Sequence, residues 1–248
     1  MHKNFAPKFP GRYLSSNVNI TVPDAHGQNV SVPVGSRFAK FRTLFGRKVT
    51  SLGVLYNFAG NDKGTTVQPV AAMVNETWFK DAINEEPDLF LLVGHMPVSR
   101  DNWPVVHAAI RALHPTTPIM IFGGHTHIRD CVQYDGHTMA LESGRYMETV
   151  GWMSLNLPAR HVAPAANLTF SRRYLDPNRV TYEYHTHEAN RTFDTLKGKV
   201  ITAGLQLLSK AFDLSQAFGT APHDYTLSRD PYPSEDSVLS LLAANACE

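Results

Sequence analysis

The residues of this chain that could do chemistry are histidines set beside glycines. Gly123-Gly124-His125-Thr126-His127 directly follows the apolar run Pro118-Ile119-Met120-Ile121-Phe122. Asp88-Leu89-Phe90-Leu91-Leu92-Val93 runs in the same way into Gly94-His95-Met96-Pro97. Neutral imidazoles suit zinc, iron, nickel or copper and tolerate manganese. His95, His125 and His127 are therefore candidate metal ligands.

The elements that must position them follow from the apolar pattern. Short apolar runs bounded by turn formers read as strands buried on both faces. Sheets of this class place their ligands beyond the carboxyl ends of the strands, where both motifs stand. Glycines 94, 123 and 124 are expected to permit positive φ and turn the next side chain out of the sheet. Arg37-Phe38-Ala39-Lys40-Phe41 and the run from Val49 to Tyr56 alternate as two strands joined through Phe45-Gly46. Trp78, Phe79 and Ile83 share one side of a helix stopped by Pro87. Asn102 is placed to cap a helix with Pro104 in its first turn and Val106, Ile110 and Leu113 as its buried stripe. This order, helix and strand alternating with the histidines at one edge, predicts an α/β fold built as a layered sheet with flanking helices.

Past residue 158 the texture changes. Pro158-Ala159-Arg160-His161-Val162-Ala163-Pro164-Ala165-Ala166 reads as a linker. Val180-Thr181-Tyr182-Glu183-Tyr184 reads as a strand. Leu196, Val200, Leu207, Ala211 and Leu214 trace a helix face that Gly219 would end, and a further helix starts at Ser237. The expected organisation is residues 1–158 as one unit and residues 159–248 as a linker with the beginning of a second α/β domain.

Composition narrows the classes. With 23 basic and 22 acidic residues in 248, there is no field for a polyanion, so nucleic acid is not an expected partner. No apolar window reaches the 18 residues or so of a membrane span. Cys131 and Cys247 exclude a disulfide framework and leave a single bridge open. Asn-x-Ser/Thr sequons stand at Asn19, Asn29, Asn75, Asn167 and Asn190, five of 14 asparagines. The opening Met1-His2-Lys3-Asn4 shows no signal-peptide pattern.

Gly94-His95-Met96-Pro97 and Gly123-Gly124-His125-Thr126-His127 resemble the last two metal motifs of the calcineurin-like metallophosphoesterases. Leu141-Glu142-Ser143-Gly144-Arg145-Tyr146, followed by Val150-Gly151-Trp152-Met153-Ser154-Leu155-Asn156-Leu157, is similar to a turn and closing strand of their 5′-nucleotidase branch. The likeness is nearest to a fungal group of that branch. It implies hydrolysis of a phosphate monoester, a nucleoside 5′-monophosphate foremost, at two divalent ions (Zn, Mn or Fe). By motif, His95 and His125 would hold one ion and His127 the other. It also implies a parent in the secretory pathway, vacuolar or secreted, a destination in keeping with the sequons and glycosylation.

The same resemblance exposes a gap. The family also needs Asp-x-His, Gly-Asp-x-x-Asp and Gly-Asn-His-Glu, which supply the bridging aspartate, an asparagine ligand and the histidine that protonates the leaving group. Asp24-Ala25-His26 spells the first, but no Gly-Asp-x-x-Asp comes after it, and Gly60-Asn61-Asp62 lacks the histidine. The segment from Phe9 to Val18 resembles the stretch soon after Gly-Asn-His in the family. The expectation is a chain truncated at both ends, holding at most one partial metal site and no general acid, and inactive alone. The alternative is a non-catalytic metal-binding or scaffold module of the same descent.

Smaller features have bland readings. His185-Thr186-His187-Glu188 has ligand-like strand spacing without a third ligand, and His107 and His114 read as surface residues. Asp130 could orient a ligand histidine or pair with Arg129. Phe212, Phe218 and Tyr225 read as core more readily than as base-stacking rings.

Overall fold

A computed structural model describes residues 2–157, 167–189, 191–217 and 219–245. The expected linker at 158–166, together with Asn190, Phe218 and Cys247, lies outside these. The chain divides into two units, Met1–His185 and Thr186–Glu248.

In the first unit a 3-10 turn, Ala6–Lys8, precedes strands β1 (Val18–Pro23), β2 (Asn29–Pro33), β3 (Phe38–Arg42), β4 (Lys48–Leu55) and β5 (Thr65–Val67). Helices α1 (Val70–Met73) and α2 (Thr77–Asn84) come next, then β6 (Leu89–His95), α3 (Trp103–Leu113) and β7 (Ile119–Phe122). Strands β8 (Arg129–Asp135), β9 (Thr138–Ser143), β10 (Val150–Leu155) and β11 (Phe170–Leu175) and helix α4 (Arg179–Thr186) complete it. The main sheet runs β3-β4-β6-β7-β9-β8. Its four inner strands are parallel, and β3 and β8 join antiparallel at the edges. Strands β2-β1-β5 form a small second sheet, and β10 pairs with β11.

One face of the main sheet is dry. Leu52, Val54, Phe90, Leu92, Ile119, Ile121 and Ala140 alternate along their strands and meet Val70, Met73, Phe79, Ile83, Trp103, Val106 and Ile110 of the helices. The apolar runs were expected to be buried on both faces, but Leu89, Leu91, Val93, Met120 and Phe122 are only half-buried. Two conditions share that second face. Under β10 and β11, Met139, Leu141 and Met153 pack with Met120, Phe122, Phe170 and Tyr174. Across β3, β4 and β6, an open groove of about 1030 Å³ is lined by Ala39, Phe41, Ser51, Leu91, Val93 and the segment from Pro10 to Leu14.

The hairpin β3–β4 and helices α2 and α3 stand where the apolar period puts them, with four differences. Leu113 is 53% exposed, and Trp103 takes its place in the buried stripe. The Asn102 side chain donates to Asp101 and caps nothing. His114 is buried, because its Nε2 lies 2.6 Å from the Ile83 carbonyl. His107 is half-buried, with its Nε2 2.9 Å from Asp135.

Strand pairing crosses residue 158, since β10 lies before it and β11 after it, and the first unit runs on to His185. Val180 to Tyr184 is helical. Asn178 Oδ1 accepts the Thr181 N–H as an N-cap, and Arg179 pairs with Glu183 at 2.7 Å one turn on, so local helix chemistry overrides a strand-like alternation. The His185-Thr186-His187 motif thus sits at a helix end.

The second unit contains α5 (Leu196–Ala211) and α6 (Val238–Asn245). Thr195 Oγ1 caps α5 through the Gly198 N–H at 3.1 Å. The helix ends at Phe212 and Asp213, the latter at φ 50°, before Leu214 and well before Gly219. The residues of its apolar face are exposed, Leu196 at 81% and Leu207 at 70%. Phe212 is exposed too, and Tyr225 leans on the His223 ring at 4.3 Å.

Candidate metal centre

The parallel inner strands deliver their carboxyl ends to one edge, and the candidate residues collect there. β4 leads into Tyr56, β6 ends in His95, β7 leads into the 123–127 loop, and β9 carries Glu142. Asn17, 1% exposed, fixes the end of β4. Its Nδ2 donates to the Leu55 and Gln68 carbonyls at 2.7 and 3.0 Å, and its Oδ1 accepts the Leu55 N–H at 2.9 Å. The Tyr56 N–H then donates to the His95 carbonyl at 3.1 Å.

The glycines serve close approach, where positive φ was expected. A Cβ on Gly94 would lie 1.9 Å from the Val54 carbonyl oxygen, and one on Gly123 would lie 2.6 Å from the Met96 oxygen. Left-handed backbone falls on the histidines themselves, with φ 87° at His125 and 64° at His127. A non-glycine residue held in that region costs on the order of 1–3 kcal/mol, and such strain concentrates at functional sites.

The fold brings two of the three candidates together. His95 Nε2 and His125 Nδ1 face each other at 3.1 Å. Two imidazole nitrogens at this separation are joined by a proton or share a cation. At Zn–N bonds of about 2.0–2.1 Å they would subtend roughly 100° at one ion, so the pair fits a divalent cation. Tyr56 lies over His125 with ring centroids 4.0 Å apart. Burial, followed by the charges of His125 and His127, lowers the His95 pKa, and Glu142 opposes them. A lowered value favours the neutral ring with a free lone pair. His127 is exposed, and its charge reaches His95 without joining the close pair. Among the described residues, no three His, Cys, Asp or Glu side chains group as a metal cluster.

The other candidates fall elsewhere. Asp24 and His26 form the exposed turn between β1 and β2, where Asp24 Oδ1 accepts the His26 and Gln28 N–H groups at 2.8 and 2.9 Å. Asp130 Oδ1 accepts the Cys131 N–H at 2.7 Å. His107 belongs to a structural cluster in which Arg111 Nε is 2.7 Å from Asp135. Burial outweighs Asp135 at His107 and lowers its pKa, so Arg111 is the cation of that cluster.

Sequence reading assigned no role to Asn17, Tyr56, Thr126 or Glu142. Glu142 is 1% exposed, and a carboxylate closing the apolar stretch Met139-Ala140-Leu141 was the available signal, because buried charges need partners.

No family model matches the chain. It is 36% identical over 265 residues to an uncharacterized protein of Schizosaccharomyces pombe, spanning 97% of this chain and 43% of the relative. A secreted protein of Arthroderma benhamiae is 33% identical over 278 residues, spanning 96% of this chain and 41% of its own length. An uncharacterized protein of Saccharomyces cerevisiae is 34% identical over 248 residues, 95% of this chain and 40% of the relative. The chain therefore spans less than half the length of these relatives. Among solved structures, the 5′-nucleotidase from Candida albicans superposes with a TM-score of 0.88 at 35% identity, covering 98% of this chain and 45% of that one. Over nearly its whole length this chain has a 5′-nucleotidase-like α/β fold, that of the matched part of the Candida albicans enzyme.

Proposed function

We propose that this chain carries part of the metal site of a calcineurin-like phosphoric monoester hydrolase acting on nucleoside monophosphates. The observation that carries the reading is the His95–His125 pair, two nitrogens 3.1 Å apart at the carboxyl edge of a 5′-nucleotidase-like sheet. His95 and His125 would hold one divalent ion, and His127 would serve a second. A bound divalent ion there supplies neutralisation of charge on phosphoryl oxygens. The chain's own residues hold the site open and oriented. Tyr56 packs on the His125 ring, and the loop after β6 is fixed by the Trp103 Nε1–H and Gly124 N–H, both donating to the Met96 carbonyl at 3.0 and 3.1 Å. Further ligands and a proton donor for the leaving group would complete the site.

The test is phosphate release from AMP and p-nitrophenyl phosphate with zinc or manganese, using this chain, a version extended to the length of its relatives, and His125→Ala in both. The proposal expects metal-dependent hydrolysis in the extended protein, lost with His125→Ala, and this chain alone no faster than its own His125→Ala variant. An extended protein inactive on every monoester would overturn it.

A second reading, a non-catalytic metal-binding module, is favoured by one observation: two donors meet and no third joins them among the described residues. Zinc binding by the extended protein without hydrolysis would select it.

Passage through the secretory pathway is part of the proposal. It is supported by the likeness to the secreted protein of Arthroderma benhamiae and by the sequons. No helix among the described residues is long and apolar enough to cross a membrane.

A further inference from the structure

We infer that Glu142 is a positioning residue that locks the two histidine loops to each other. Glu142 stands on β9, buried to 1% exposure, and reaches across the carboxyl edge. One carboxylate oxygen, Oε1, accepts the Val98 N–H at 2.6 Å, on the loop after His95. The other, Oε2, accepts the hydroxyl of Thr126, the residue between His125 and His127. One side chain thus spans loops from two different strands, and each oxygen serves one of them.

The surroundings show why this clamp decides the pair. Val98 is held on both sides, its N–H by Glu142 and its carbonyl by the Tyr134 hydroxyl at 2.5 Å. Thr126 lies between two left-handed histidines, at φ 87° and 64°, a backbone that needs outside contacts to persist. The Thr126 hydroxyl on Glu142 is such a contact, and it fixes the direction from which the His125 ring approaches His95. Partners of this kind act on metal affinity through the ligands they orient.

This inference rests on the reading of His95 and His125 as the site, so its test begins without metal. Amide hydrogen exchange would be followed in the metal-free chain for wild type, Glu142→Ala, Glu142→Gln, Thr126→Val and Thr126→Ser. Glu142→Ala is expected to speed exchange about tenfold or more at Val98 and through 124–127, by freeing both loops to open locally. Thr126→Val is expected to do so only through 124–127. Thr126→Ser keeps its hydroxyl on Glu142, and Glu142→Gln keeps both loops by accepting the Val98 N–H on its amide oxygen and donating its NH2 to the Thr126 hydroxyl, so both should stay close to wild type. Zinc titration of the same set is expected to show about 10- to 100-fold weaker binding in Glu142→Ala and Thr126→Val alone. Ile83→Ala, on the buried face of α2, controls for general destabilisation and should leave zinc affinity unchanged. Unchanged exchange at both loops in Glu142→Ala would overturn the inference. Should Glu142→Ala fail to fold, unchanged exchange through 124–127 in Thr126→Val would overturn it. A wild type that binds no zinc would instead overturn the metal reading and leave the exchange result to decide Glu142.

Discussion

Replacing Gly94 with alanine tests the packing that places His95. The added Cβ would sit 1.9 Å from the Val54 carbonyl oxygen, whereas ordinary contact begins at 3.4 Å. Strand β4 would have to retreat by about 1.5 Å from β6, in a sheet whose strands lie about 4.8 Å apart. No side-chain rotation relieves a contact between backbone and Cβ. The Gly53–Val93 and Leu55–His95 pairs flank the clash in the same parallel ladder. Overpacking costs typically about 1–3 kcal/mol, and a clash against central backbone belongs at or above the upper end. For a unit of this size about 3 kcal/mol lowers Tm by roughly 6–12 °C. The assay is thermal unfolding followed by circular dichroism, with Gly64→Ala as control. A Cβ on Gly64 meets nothing within 4 Å, so its variant should stay within about 0.5 kcal/mol of wild type. A Gly94→Ala protein melting within about 2 °C of wild type would refute the reasoning.

Three further outcomes are expected from the same geometry. Burial alone would raise the Asp135 carboxyl, but hydrogen bonds from Arg111 and the His137 N–H, with the Arg111 charge, hold it below the usual carboxylate range. A lowered folded pKa gives stability that is present above the unfolded value, 3.8, and lost as pH falls through the folded one. Melting curves of wild type and Asp135→Asn should therefore differ at neutral pH and converge in acid; a gap independent of pH would sink this. If the chain is secreted from a yeast host, peptide mass spectrometry should find glycan on the exposed Asn29 and Asn167. Asn19 should be bare, because its side chain donates to Ser31 Oγ and accepts from Arg37, both at 3.1 Å; an occupied Asn19 beside an empty Asn29 would contradict that. Trp103→Phe removes the Nε1–H from the Met96 carbonyl, which keeps the Gly124 N–H, and loss of that bond should cost about 0.5–1.5 kcal/mol by urea unfolding, while an unchanged midpoint would mean the bond contributes nothing.

How much was legible in the sequence depended on how local the cause was. Strands β6 and β7, the β3–β4 hairpin and helices α2 and α3 are written in contiguous apolar periods, and they form where those periods lie. The placement of His95 at the end of β6 and of His125 just past β7 was legible for the same reason. Helix α4 was hidden, because its alternating aromatic and β-branched residues imitate a strand, and the Asn178 cap and Arg179–Glu183 pair decide otherwise. His114 was hidden because its partner is the Ile83 carbonyl, 31 positions away. Glu142 was hidden for the same cause, its partners lying 44 and 16 positions away on two loops. The glycines were legible as special and misread in kind. Two of them let backbones approach, and the left-handed strain passes to His125 and His127.

Calorimetric zinc titration of the metal-free chain decides whether His95 and His125 share one cation. His95→Ala, His125→Ala and the double variant are expected to lose the same affinity, because removing either nitrogen breaks one shared site. Wild-type affinity retained in either single variant would contradict it.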